Sequence, residues 1–110
     1  MPPDDIRALA LTLPEVVEAP HFEKTSFRVR GKIFATLTAD GEILVLKLPV
    51  EIKESLLQSD PDAIVPLPGA WDRGGWTQVA IQSMETAKLA DLVCLAWRQV
   101  APKSLTRDWE

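Results

Sequence analysis

The side chains that could do chemistry are few and scattered. There is one histidine, His21, and one cysteine, Cys94, far apart in the chain and with no second soft ligand beside either. A metal centre needs clustered ligands, so none is expected. His21 stands in Pro20-His21-Phe22. As a general base it would need a nucleophile and an orienting group, and no Ser, Cys or Asp is spaced to supply a triad. A hydrogen-bonded loop histidine at the entrance to the sheet is the plainer expectation. Cys94 has no neighbouring feature that would lower its pKa and is expected to fill a semi-buried position. Asp60-Pro61-Asp62 starts like a cation loop but lacks the further spaced oxygens and the closing glutamate. Residues Gly69 to Trp76 are glycine-rich, yet they fit neither phosphate-loop nor dinucleotide patterns, and no helix begins directly after them. No catalytic constellation, metal or cofactor is expected from these residues.

Cations and aromatics remain. Between Lys24 and Leu48 stand five basic residues (Lys24, Arg28, Arg30, Lys32, Lys47) against two acidic ones (Asp40, Glu42), a net of +3 in a chain whose total is −4. A basic sheet edge on an acidic body reads as a binding surface. The competing expectation is that these side chains solvate an open face and discourage edge pairing. Trp71, Arg73 and Trp76 add aromatic faces and a planar cation on a flexible backbone, the means by which bases or sugars are stacked. Alternatively the tryptophans fold back over the sheet and stabilise it.

The elements that must position these residues are legible in the pattern. Thr25–Arg30, Ile33–Thr38 and Ile43–Leu48 read as three strands joined by turns at Arg30-Gly31-Lys32 and Asp40-Gly41. Period-two alternation sends Phe27 and Val29 to one face and Ser26, Arg28 and Arg30 to the other. Before them, Asp4–Leu13 fits an amphipathic helix with Ile6, Leu9, Ala10 and Leu13 on one face, stopped by Pro14. Leu13–Phe22 reads as an irregular connection, too interrupted by proline for regular structure. After the meander, Pro49 opens a second helix with Ile52 and Leu56 buried. Ala63–Leu67 is a fourth strand, at an edge or irregular because Pro66 has no N–H to donate. Pro68–Gly75 is a loop, and Trp76–Ile81 is a fifth strand. Ser83 is placed to cap a last helix whose stripe is Leu89, Leu92, Val93, Ala96 and Val100, with Trp97 at its border. Residues Ser104–Glu110 read as a loosely held tail. The order α-β-β-β-α-β-β-α predicts an α+β fold, an antiparallel sheet (three-strand meander plus two further strands) covered by three helices mainly on one face.

At 110 residues the chain is expected to form one domain with a real core. No apolar run reaches the length of a membrane span, so no membrane partner is expected. The acidic start Met1-Pro2-Pro3-Asp4-Asp5 does not resemble a secretory leader, and a lone cysteine suits a reducing compartment, so the cytoplasm is expected. A net charge of −4 gives no general attraction for polyanions.

Three segments in order resemble the MmcQ/YjbR family: Leu13-Pro14-Glu15 through Ser26–Ala35, then Gly75–Ile81, then Ala96–Lys103. The resemblance covers nearly the whole chain. It implies a compact α+β fold similar to the frataxin-like CyaY superfamily. Members of the family are often called DNA-binding proteins, on the strength of a proposed double-wing arrangement of hairpins. The resemblance implies no catalytic residue. Nor does it imply iron chemistry, which uses a dense acidic ridge on the first helix and following strand, where this chain has only Asp4 and Asp5. The resulting expectation is a small non-enzymatic binding module with DNA as candidate partner. Lys24, Arg28, Arg30, Lys32, Lys47 and Arg73 would meet phosphates, and Trp76 would stack or wedge. The alternative is a protein-interaction or small-ligand module using the open sheet face and the Trp71–Trp76 loop.

Overall fold

Alternating side chains make a sheet from residues 16 to 80, and the amphipathic helices cover one of its faces. The computed structural model describes residues 1–65 and 75–107. In chain order the elements are α1 (Pro3–Thr12), β1 (Val16–His21), β2 (Lys24–Val29), β3 (Lys32–Leu37), β4 (Ile43–Lys47), α2 (Val50–Ser59), β5 (Ile64–Val65), β6 (Trp76–Ala80), α3 (Thr86–Val100) and the short α4 (Lys103–Thr106). The strands lie in the order β1-β2-β3-β4-β6-β5, every pairing antiparallel. The α+β class and the expected meander are therefore present. Of the expected fourth strand, Ile64–Val65 is present and lies at the sheet edge. Pro66 and Leu67, with most of the expected 68–75 loop, lie outside the described residues.

The expectation of an irregular connection at Leu13–Phe22 is corrected: Val16–His21 is a six-residue strand paired with β2 from Val16↔Val29 to His21↔Lys24. Pro20 does not prevent this, because β1 is the outermost strand and a proline there removes no bond the sheet interior needs.

Helix α3, the longest, packs on β3 and β4, and α1 packs on β1 and α3. Leu89, Val93 and Ala96 are buried, as the stripe predicts. Trp97 is fully buried and not at a border: its indole Nε1 donates to the Pro14 carbonyl at 3.1 Å, because the α1–β1 connection folds against the helix. Ser83 does not cap α3. It belongs to a 3₁₀ turn, Ile81–Ser83, and the helix starts after Glu85 without a side-chain cap. On α2, Leu56 is buried as expected, but Lys53 is more buried than Ile52 and donates through Nζ to the Trp76 carbonyl at 3.2 Å. The expected loose tail begins instead with the helical turn α4. Residues of all three longer helices share one core cluster with Phe27, Val29, Leu44, Leu46 and Val79. Those strand residues lie on one face of the sheet by register.

A bulge tunes that face. Phe27 pairs with Ala35 and Arg28 with Ile33, so Phe34 is an extra residue on β3. Phe34 and Ala35 are both buried in the core, consecutive residues that strict alternation would send to opposite faces.

Candidate binding face of the sheet

The face away from the core is assembled by register. One row runs Val17↔Arg28↔Ile33 across β1, β2 and β3, and on the other side of the meander Lys47↔Trp76 across β4 and β6. The next row crosses all six strands: Ala19, Ser26, Thr36, Val45, Gln78, Val65. Its residues are small or neutral, and Ser26 and Thr36 within it are buried. Alternation puts Lys24 and its partner His21 on the same face as Ser26 and Arg28. Thus Lys24, Arg28, Lys47 and Trp76, four of the sequence-predicted residues, share one surface. Lys24 and Arg28 stand about 13 Å apart along β2, and Arg28 and Lys47 lie about 10 Å apart across two strand spacings.

Each cation has a distinct setting. Arg28 is half-buried, and its guanidinium lies back along the strand. Nε donates to Ser26 Oγ at 3.0 Å and Nη2 approaches the Pro20 carbonyl at 3.4 Å, while Ser26 Oγ donates to the Ala19 carbonyl at 2.7 Å. All these acceptors are neutral, so Arg28 keeps its charge on the surface while tying β1 to β2. Lys47 Nζ sits 5.3 Å from the Trp76 ring centroid, a cation–π contact on a half-buried indole. Lys24 and Lys32 are exposed at opposite ends of the β2–β3 ladder. Arg73 and Trp71 lie outside the described residues.

Arg30 is not on the strand. With Gly31 it forms the two-residue β2–β3 turn, where φ is +49° and +82°. Two successive positive φ values mark a type I′ turn, whose twist matches the flanking strands. From that turn the guanidinium closes on Glu15: Nε to Oε1 at 3.1 Å and Nη2 to Oε2 at 3.0 Å. The hydrogen bond to Arg30 holds the Glu15 carboxyl below its ordinary range and raises Arg30 in turn. Glu15, Val16, Val17, Arg28, Arg30 and Gly31 line an open depression of about 530 Å³. Sequence reading missed Glu15 because the partner lies across a hairpin, 15 residues away.

It also missed Phe22. This side chain is 93% exposed at the tip of the β1–β2 hairpin, with φ of +58°. Its ring meets the His21 ring edge-on, centroids 4.9 Å apart at 66°. The only available signal was an aromatic in a short break between strands, and that break was itself unread.

Other candidate chemistry recedes. Burial, with the charge of Asp91 second, pushes the Cys94 thiol up, which disfavours a reactive thiolate. Among the described residues no group of three or more His, Cys, Asp or Glu could hold a metal ion. No helix among them is long and apolar enough to cross a membrane.

The family profile described as YjbR matches residues 11–99. The fold is similar to the crystal structure of DR2400, a Deinococcus radiodurans protein with a DUF419 domain. The TM-score is 0.81 at 24% identity, over 96% of this chain and 85% of that one. At that identity the likeness concerns the fold alone. A search of curated proteins finds no match.

Proposed function

The chain belongs to the YjbR family, and from that premise we propose that it is a small non-enzymatic module that binds DNA on the open face of its sheet. The observation that supports this reading is the common surface of Lys24, Arg28 and Lys47 with Trp76, on the side opposite the core. Positive side chains on an otherwise acidic protein concentrate its attraction for phosphates in one place. Few side chains there are suited to reading base edges, so recognition is of the backbone and binding is weak and sequence-tolerant. Lys32 stands outside this surface, because it pairs with the core-facing Val29 and so projects to the other side of the sheet. Arg30 contributes less than its charge suggests, because Glu15 occupies it.

The test is a titration of labelled DNA at about 10 mM salt, where screening is weakest. Wild type is compared with Lys24→Ala/Lys47→Ala. That pair is preferred to any variant of Arg28 or Arg30, since both arginines make contacts that hold β1 and its entry. The double variant should lose most of the association while its circular dichroism is unchanged. Equal binding by the two proteins would remove this face from the account.

A second reading has its own support. The depression between Arg28 and Arg30 has Val16 and Val17 in its lining and a carboxylate at its rim. That mixture suits a small amphipathic ligand or a protein side chain better than a polyanion. Saturable shifts of Val16 and Val17 amide signals by such a ligand, without any response to DNA, would favour it.

A further inference from the structure

The DNA reading leaves Phe22 unexplained. A bulky residue at positive φ is a backbone outlier that glycine would relieve. Glu23, the other turn residue, is not at positive φ, so Phe22 holds the first central position of the hairpin turn, where a type II′ turn favours glycine. Yet the ring is 93% exposed, so core packing does not account for it. A backbone outlier kept at an exposed position points to a role outside the core.

Its place on the sheet specifies the contact. His21, which the Phe22 ring meets, shares the open face with Lys24, Ser26 and Arg28. Trp76 stands at the far side of that face, four strand spacings away on β6. The two aromatics are therefore separated diagonally by roughly 20–25 Å, with cations between them. The neutral row Ala19, Ser26, Thr36, Val45 and Gln78 runs between the Lys24 end and the Arg28–Lys47 end.

Duplex DNA hides its base faces, and a protein reads it by inserting a helix or a two-stranded ribbon into a groove. The hairpin tips here are poor at that task. The β2–β3 tip has its arginine closed on Glu15, and the β1–β2 tip presents Phe22 beside the acidic Glu23. A sheet face with aromatics at its margins and cations between them is instead how unpaired bases are held. Resting on the DNA reading above, we infer that the form bound is single-stranded, its bases stacking on Phe22 and Trp76 and its phosphates meeting Lys24, Arg28 and Lys47.

The experiment measures fluorescence anisotropy of a labelled oligothymidylate of about 20 nucleotides, and of the same strand paired with oligoadenylate, for wild type and Phe22→Gly. Glycine removes the ring and accepts the positive φ, so the variant should fold with a thermal midpoint equal to or above wild type. Wild type should bind the single strand at least about tenfold more tightly than the duplex, and Phe22→Gly should weaken single-strand binding about 5- to 100-fold. Duplex binding as tight as or tighter than single-strand binding would overturn the inference and leave the DNA reading standing. Failure of both strand forms to bind would overturn both. Unchanged single-strand affinity in Phe22→Gly, or loss of folding in that variant, would remove Phe22 from the contact.

Discussion

Arg30 and Glu15 face each other from two left-handed backbone positions, φ +49° and +57°, and the guanidinium grips the carboxylate through two hydrogen bonds. Glu15 lies just before β1, and Arg30 opens the β2–β3 turn. The pair thus pins the entry of the outer strand to the end of its neighbour. It also cancels one of the charges that the sequence offers to a polyanion. Structure and binding compete here for the same guanidinium.

Glu15→Gln should release Arg30 to a phosphate. In the DNA reading, affinity at low salt should rise, and the dependence of log K on log salt should steepen by about 0.7 to 0.9, the value of one added phosphate contact. Parallel salt titrations of the variant and wild type measure this. Identical slopes would mean that Arg30 stays out of the contact.

Acid should weaken the fold in a defined direction. Glu15 is held below its ordinary value of 4.5 by the hydrogen bond from Arg30. Asp40 is held below 3.8 chiefly by the Thr38 hydroxyl, and Asp60 below 3.8 chiefly by Lys88. Carboxyls with depressed folded pKa values bind more protons when unfolded. Their contribution is complete above the ordinary values and is lost as pH falls below them, through the lower folded values. The urea midpoint should therefore drop between pH 7 and pH 3. It should drop less in Glu15→Gln/Asp40→Asn/Asp60→Asn. All three groups are at the surface, so the difference should be modest.

Gly41→Val should destabilise the protein by about 1 kcal/mol or more. Gly41 has φ of +73°, and a Cβ there would stand 2.5 Å from Pro3 Cγ on α1. The turn itself is well bonded: Gly41 N–H donates to the Thr38 carbonyl at 2.9 Å, and Glu42 N–H to Asp40 Oδ1 at 2.9 Å. The strain therefore falls on the backbone and on α1. An unchanged denaturant midpoint would contradict this turn.

Trp97→Phe should cost about 1–3 kcal/mol. The change shrinks a fully buried side chain and leaves the Pro14 carbonyl without the indole donor at 3.1 Å. Equilibrium unfolding in urea measures the loss. A cost below about 0.5 kcal/mol, the range of an ordinary surface change, would mean that the α1–β1 connection is not anchored there.

What could be read in the sequence was whatever local period and turn chemistry decide. The meander, the Gly31 and Asp40-Gly41 turns and the α3 stripe depend on near neighbours, and each is present. Strand β1 was hidden because Pro20 is a breaker in a central strand but is tolerated at an edge, and edge position is a property of the assembled sheet. The same limit applied to the site. Alternation placed Arg28 on the open face, but it could not show that Glu15 takes Arg30 or that Lys47 lies over Trp76. Those contacts join residues brought together only by strand pairing. Phe22 lacked any periodic signal, and its significance comes from exposure and backbone angle, which exist only in three dimensions.

The salt dependence of DNA binding tests the central claim most directly. With roughly three to five phosphates neutralised on the open face, log K should fall against log salt with a slope of about −2 to −4.5. Lys24→Ala/Lys47→Ala should flatten that slope by about 1.4 to 1.8, the value of two contacts. A wild-type slope in that range, reduced in the double variant, is the predicted result. Absence of association at about 10 mM salt would contradict the claim that this face binds DNA.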